Sequence, residues 1–117
     1  VAECIEKFGG RLDGAVLCHG TLGDEQLART DFNEAHKIID VNFTSCGSLL
    51  QPLAAHLEAN QRGWLCVVSS VAGDRGRQSN YTYGSAKAGL TAYVQGLRNR
   101  LTPAGVSVLT VKPGFVD

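Results

Sequence analysis

An α/β fold, with a partial, doubly wound parallel sheet of three strands and crossover helices, is what the sequence predicts. Three observations lead there. The runs Asp13 to Cys18, Gly63 to Ser69 and Val106 to Val111 are short and near-continuously apolar rather than alternating, which suits strands covered on both faces. Longer segments with apolar residues at helical spacing separate them. Strand, helix, strand, helix, strand then implies parallel pairing through right-handed crossovers.

Element by element, Val1 to Phe8 is a short amphipathic stretch stopped by Gly9-Gly10, read as the last turns of a helix that begins upstream. Asp13 to Cys18 is the first strand, too short for a stable helix, and His19-Gly20-Thr21-Leu22-Gly23 forms the loop after it. From Asp31, the spacing of Phe32, Ala35, Ile39, Cys46, Leu50, Leu53 and Leu57 predicts one long or broken helix. Asp31 and Glu34 stand as a capping-box variant at its start, and Pro52 and Asp40 to Phe43 are candidate breaks. Gly63 to Ser69 is the second strand, and Ser70 to Asn80 a polar loop. Ser79 or Asn80 then caps a helix running to about Leu101, with Tyr83, Leu90, Tyr93, Val94 and Leu97 on its apolar face. Pro103 and Gly105 stop it, Val106 to Val111 is the third strand, and Lys112-Pro113-Gly114-Phe115 ends the pattern.

Composition narrows the function. The 117 residues carry 11 Lys+Arg against 11 Asp+Glu, with 44% hydrophobic residues and 14 Gly, as expected of one compact domain or a piece of one. That balance lacks the clustered basic excess of a nucleic-acid binder, and Arg75, Arg77 and Arg98, Arg100 are only local pairs. No apolar run is long enough to span a membrane, and the N-terminus lacks the pattern of a signal peptide. Cys4, Cys18, Cys46 and Cys66 form no CxxC, and His19, His36 and His56 no HExxH, so no metal site is expected. Reduced, buried thiols and a cytoplasmic location follow as expectations.

The chemistry concentrates in Tyr83-Gly84-Ser85-Ala86-Lys87, which sets a phenol and an ammonium four residues apart, one turn along the same helical face. Tyr81 does not share that face. A free tyrosine titrates near 10, so proton exchange at neutral pH needs a shift of about three units, roughly 4 kcal/mol. A unit positive charge about 4 Å away, at an effective dielectric of about 20, supplies energy on that order. A nearby helix N-terminus adds about 0.3–1 kcal/mol.

Tyr83 with Lys87, Ser70 thirteen residues ahead of the tyrosine, and Asn42 upstream together resemble the short-chain dehydrogenase/reductase family. The ordered set makes the match specific: a strand ending in Val68-Ser69-Ser70-Val71-Ala72-Gly73, the YxxxK helix, then a strand ending in Pro113-Gly114. The resemblance implies a Rossmann-like fold and an NAD- or NADP-dependent oxidoreductase acting on a small-molecule alcohol or carbonyl. It implies that Tyr83 is the general acid/base, that Lys87 lowers its pKa and holds the nicotinamide ribose, and that Ser70 hydrogen-bonds the substrate oxygen. Asn42 is implied to hold a water that links Lys87 to solvent. Pro113 and Gly114 resemble the family's bend beside the nicotinamide. A homodimer or homotetramer is implied for the whole protein.

Two departures from the family pattern stand out. Many members carry Asn-Asn-Ala-Gly where this chain has Leu17-Cys18-His19-Gly20, so His19 either replaces sheet-stabilising asparagine contacts, touches the cofactor, or does neither. The stretches His19 to Asp24 and Val111 to Asp117 are faintly similar to a subgroup that includes reductases of lipid-linked keto-sugars. Secondly, the family's pyrophosphate-binding glycine turn precedes the matching region and its substrate lid follows it. The resemblance therefore makes residues 1–117 about half of a nicotinamide-binding domain, with its fourth, fifth and sixth strands. The Asp74, Arg75, Arg77 loop reads as a solvated segment bordering the substrate. A second reading makes the chain a non-catalytic fragment or assembly module that dimerises through its two long helices.

Overall fold

The computed structural model describes residues 1–114. Three strands, β1 (Gly14–Leu17), β2 (Trp64–Val68) and β3 (Ser107–Val111), form one sheet in the order β1-β2-β3. Both pairings are parallel, with Val16 opposite Cys66 and Cys66 opposite Leu109. The predicted contiguous parallel sheet is thus present.

The helices are α1 (Ala2–Lys7), α2 (Glu25–Ala28), α3 (Phe32–Ile39), α4 (Ser45–Asn60) and α5 (Tyr81–Leu101). A π-helical turn, Asp40–Thr44, joins α3 to α4, and 3₁₀ turns Val71–Asp74 and Thr102–Ala104 flank α5. The break expected at Asp40 to Phe43 is therefore a widened turn inside one continuous helical run. Its cause is visible at Asn42, whose Nδ2 donates to the Ile38 carbonyl one turn back at 2.8 Å. Pro52 lies within α4 without ending it.

Leu50, Ala54 and Leu57 of α4 and Leu90, Val94 and Leu101 of α5 pack with Leu65 and Val67 of β2 in one core, each almost fully buried. That core covers a single face of the sheet. On the other face Val16 and Leu109 are 55% and 59% exposed, so the expectation of strands covered on both faces is not met within these residues. Four smaller features differ from what the sequence predicts. Phe32 is exposed and stacks on His36, and Ile38 rather than Ile39 fills the core position of α3. Asp31 caps the helix by accepting from Asn33 N at 2.9 Å, but its own N–H is taken by the Leu27 carbonyl, so no reciprocal capping box forms. The cysteines are free, yet only Cys46 is buried, while Cys4 and Cys18 are exposed, one on a peripheral helix and the other just beyond a short strand. The sequence pattern assigns no element to the segment containing α2, a single turn capped by Asp24 through Leu27 N.

Candidate active site

The carboxyl ends of β1, β2 and β3 bring the predicted residues to one rim of the sheet. At the end of β2 the two serines divide their work. Ser69 is buried, and its hydroxyl donates to the Lys87 carbonyl at 3.1 Å and lies 2.7 Å from Thr91 Oγ1, bolting the strand end to the middle of α5. Ser70 Oγ accepts from Ala72 N at 3.0 Å, opening the 3₁₀ turn. With the oxygen fixed as an acceptor, its proton is left to donate elsewhere.

That turn lies against α5 at backbone contact. A Cβ on Gly73 would stand 2.7 Å from Ala88 N, and one on Gly84 would stand 2.6 Å from the Ala72 carbonyl. Only glycines at both positions allow the approach that carries Ser70 to the segment bearing Tyr83.

Tyr83 is half-buried and Lys87 is 3% exposed, with Nζ 5.8 Å from the Tyr83 ring centroid. The side chains do not diverge. Nζ donates to the Val68 carbonyl at 3.2 Å, its one protein acceptor among the described residues. Burial holds the Lys87 pKa below the usual lysine value, opposed weakly by Cys46. An ammonium with three donors and one such acceptor is suited to hydroxyl groups of a bound molecule. The space beside it is kept open at Gly20, where a Cβ would come within 3.3 Å of Nζ and 2.7 Å of Asn42 Oδ1.

Asn42 is fully buried in the π turn. Its Oδ1 accepts from Thr21 N at 3.0 Å and its Nδ2 donates to the carbonyls of Thr21 and Ile38. The side chain thereby fastens the loop after β1 to the helical run. His19 fastens the same loop at a second point. Its Nε2 lies 2.9 Å from Ser45 Oγ and 3.4 Å from Cys46 Sγ, tying the loop to the start of α4. Pro113 meets the same rim, since its carbonyl accepts from Val71 N at 3.4 Å, and Gly114 follows beside Val71. Phe115, Val116 and Asp117, the last part of the stretch compared with keto-sugar reductases, lie outside the described residues. Asp74 pairs with Lys112 at 3.0 Å, and Arg75 and Arg77 are exposed.

One sequence expectation fails at the start of α5. Asn80 occupies the N-cap position, but its side chain caps nothing and its buried Oδ1 has no partner among the described residues. The capping acceptor is instead Glu25 of α2, whose carboxylate accepts from Thr82 N at 2.6 Å and from Thr82 Oγ1 at 2.7 Å. Fifty-seven positions separate them, and no local pattern links the two. The available signal was Asp24-Glu25 as the opening of a short helix, which would have found α2 but not its partner.

A family model described as short chain dehydrogenase matches residues 1–117. The chain is 47% identical over 116 residues to an uncharacterized oxidoreductase of Mycobacterium tuberculosis, covering 99% of this chain and 46% of that protein. It is 29% identical over 117 residues to the 3-oxoacyl-[acyl-carrier-protein] reductase FabG of Escherichia coli, covering 100% of this chain and 48% of that one. Among solved structures, ElxO with NADP bound superposes with a TM-score of 0.89 at 26% identity, over 99% of this chain and 47% of that one. The chain spans about half the length of the curated relatives it matches. No described helix is long and apolar enough to cross a membrane.

Proposed function

Because the chain belongs to the short-chain dehydrogenase family, we propose that it carries the proton-exchanging centre of a nicotinamide-dependent oxidoreductase interconverting an alcohol and a carbonyl. The observation that carries this reading is the buried Lys87 ammonium held against Tyr83 at the carboxyl rim of the sheet. In the reductive direction Tyr83 donates its phenolic proton to the carbonyl oxygen as that oxygen gains negative charge, and in the oxidative direction it accepts the proton of the alcohol. Ser70 donates its hydroxyl proton to the same oxygen and stabilises that charge. Lys87 stabilises the phenolate left behind. With Nζ 5.8 Å from the centre of the Tyr83 ring, its positive charge attracts the negative charge the phenol acquires on giving up its proton.

NAD or NADP, when bound, supplies or takes up the hydride. The free donors of Lys87 suit the nicotinamide ribose hydroxyls, and Gly20, His19, Pro113 and Gly114 border the space assigned to the cofactor. Asn42 keeps the relay role that the resemblance implies. With its side chain already bonded to Thr21 and Ile38, its main-chain carbonyl is the group assigned to a relaying water. The Arg75 and Arg77 loop borders the substrate.

The test is Tyr83→Phe in the complete protein. Removing the phenolic proton is expected to lower kcat by at least about 10³-fold, within the range of a lost general acid/base, while cofactor affinity stays within about threefold. Near-normal turnover would remove the mechanism. The same substitution leaves any role as an assembly module through α4 and α5 intact, so retained oligomerisation with lost turnover separates the two properties.

A further inference from the structure

We propose that Glu25 is a positioning residue for Tyr83, clamping the first turn of α5 from a different part of the chain. The inference rests on the assignment of Tyr83 as acid/base but concerns a residue outside that set.

A helix begins with N–H groups that have no partner within it, and a side chain at the N-cap ordinarily satisfies the second or third of them. In α5 the N-cap is Asn80, and it does not do so. The second N–H, that of Thr82, points at Glu25 Oε1, and the Thr82 hydroxyl donates to Oε2, so both carboxylate oxygens bind one residue. Thr82 is 9% exposed, and charge-assisted hydrogen bonds in such shelter are short and strong. A carboxylate at a helix N-terminus also opposes the positive end of its dipole favourably.

A second contact from α2's C-terminal cap reinforces the clamp. Arg29 Nη2 donates to the Gln78 carbonyl at 2.6 Å, gripping the chain just before α5 starts. Hydrogen bonds thus hold the helix at two stations, its middle by Ser69 through the Lys87 carbonyl and Thr91 and its first turn by Glu25, with Gly84 packed on the Ala72 carbonyl between them. Tyr83 lies between these stations, directly after Thr82. Lys87 belongs to the inner station and has its own tether to Val68. Loss of the outer clamp therefore moves the phenol relative to the amine and to Ser70, rather than moving the whole group together.

The test uses the complete protein with Glu25→Ala, Glu25→Gln, Thr82→Val and Tyr83→Phe. Glutamine keeps the bond from Thr82 N at its amide oxygen and replaces the other by donating its amide N–H to Thr82 Oγ1, whereas alanine retains neither. Glu25→Ala is expected to lower kcat, per folded active site by cofactor titration, by about 10- to 100-fold, the scale of a small misalignment. KM should change by less than about threefold, and Glu25→Gln should restore most of the rate. Thr82→Val, which keeps the side chain's shape and loses one bond, should fall between them and serves if Glu25→Ala does not fold. Full activity per site in Glu25→Ala or Thr82→Val overturns the inference, as does a glutamine variant no better than alanine. If Tyr83→Phe is itself active, the acid/base assignment fails instead.

Discussion

At Lys87 the fold desolvates an ammonium ion and gives it one carbonyl in return. Burial lowers its pKa, so its charged form is less favoured in the folded chain than in the unfolded one. The cost to stability is fully present below the folded-state pKa, where the amine is protonated in both states. It disappears as pH rises toward the unfolded value near 10.4, because in that window the unfolded chain binds a proton that the folded chain has released. Lys87→Met is therefore expected to match the wild type in stability at pH 7 or to exceed it by up to about 2 kcal/mol, while losing activity. Denaturant unfolding at pH 7 and pH 10 checks this, and the wild type must gain on the variant at the higher pH. At this scale the pairing of Tyr83 with Lys87 was legible because it depends on residue type and on spacing along one helix, and the place of Ser70 because it follows an apolar strand run. Glu25 was not, because a carboxylate is an ordinary surface residue until its partner is known.

Helix α5 sets two of its glycines in opposite circumstances. Glycine within a helix costs about 1 kcal/mol relative to alanine, so substitution by alanine ordinarily stabilises. At Gly96 nothing stands near a new Cβ, and Gly96→Ala should raise stability by about 0.5–1 kcal/mol. At Gly84 the new methyl would meet the Ala72 carbonyl at 2.6 Å, and backbone must move. Gly84→Ala should destabilise by about 1–3 kcal/mol and lower kcat about tenfold or more, since the displaced turn carries Ser70. Thermal unfolding and kinetics of the pair check the contrast, and equal stabilisation by both would contradict it. The strands and long helices were readable here from apolar runs and period. The π turn needed Asn42's bond to Ile38, and α2, whose four residues are too few to set a period, offered only its Asp24-Glu25 opening as a signal.

Taken whole, the described residues bury one face of a three-stranded parallel sheet and leave the other bare. Val16, Trp64 and Leu109 are all exposed, and both outer strands offer unpaired edges among the described residues. Such a surface binds apolar dyes and associates readily. On the proposed function Lys87, Gly20 and the β3 rim make up only part of a dinucleotide site, so the 117-residue chain alone is expected to bind neither NADH nor NADPH with a Kd tighter than about 1 mM. Titration followed by nicotinamide fluorescence measures this. Micromolar binding would show that these residues hold the cofactor without further chain.

The order of the strands and long helices, the parallel sheet, the YxxxK helix and the serine ahead of it were determined by the sequence alone, since each follows from periodicity or spacing over a few turns. Only the tertiary structure decided which side of the sheet is covered, that Asn42 and His19 act as fasteners of the loop after β1, and that Glu25 rather than Asn80 caps α5. The physical reason is the range of the interactions. Local backbone preference and apolar period are carried by neighbouring residues, whereas a carboxylate finds an unpaired N–H fifty-seven positions away only after the chain has folded.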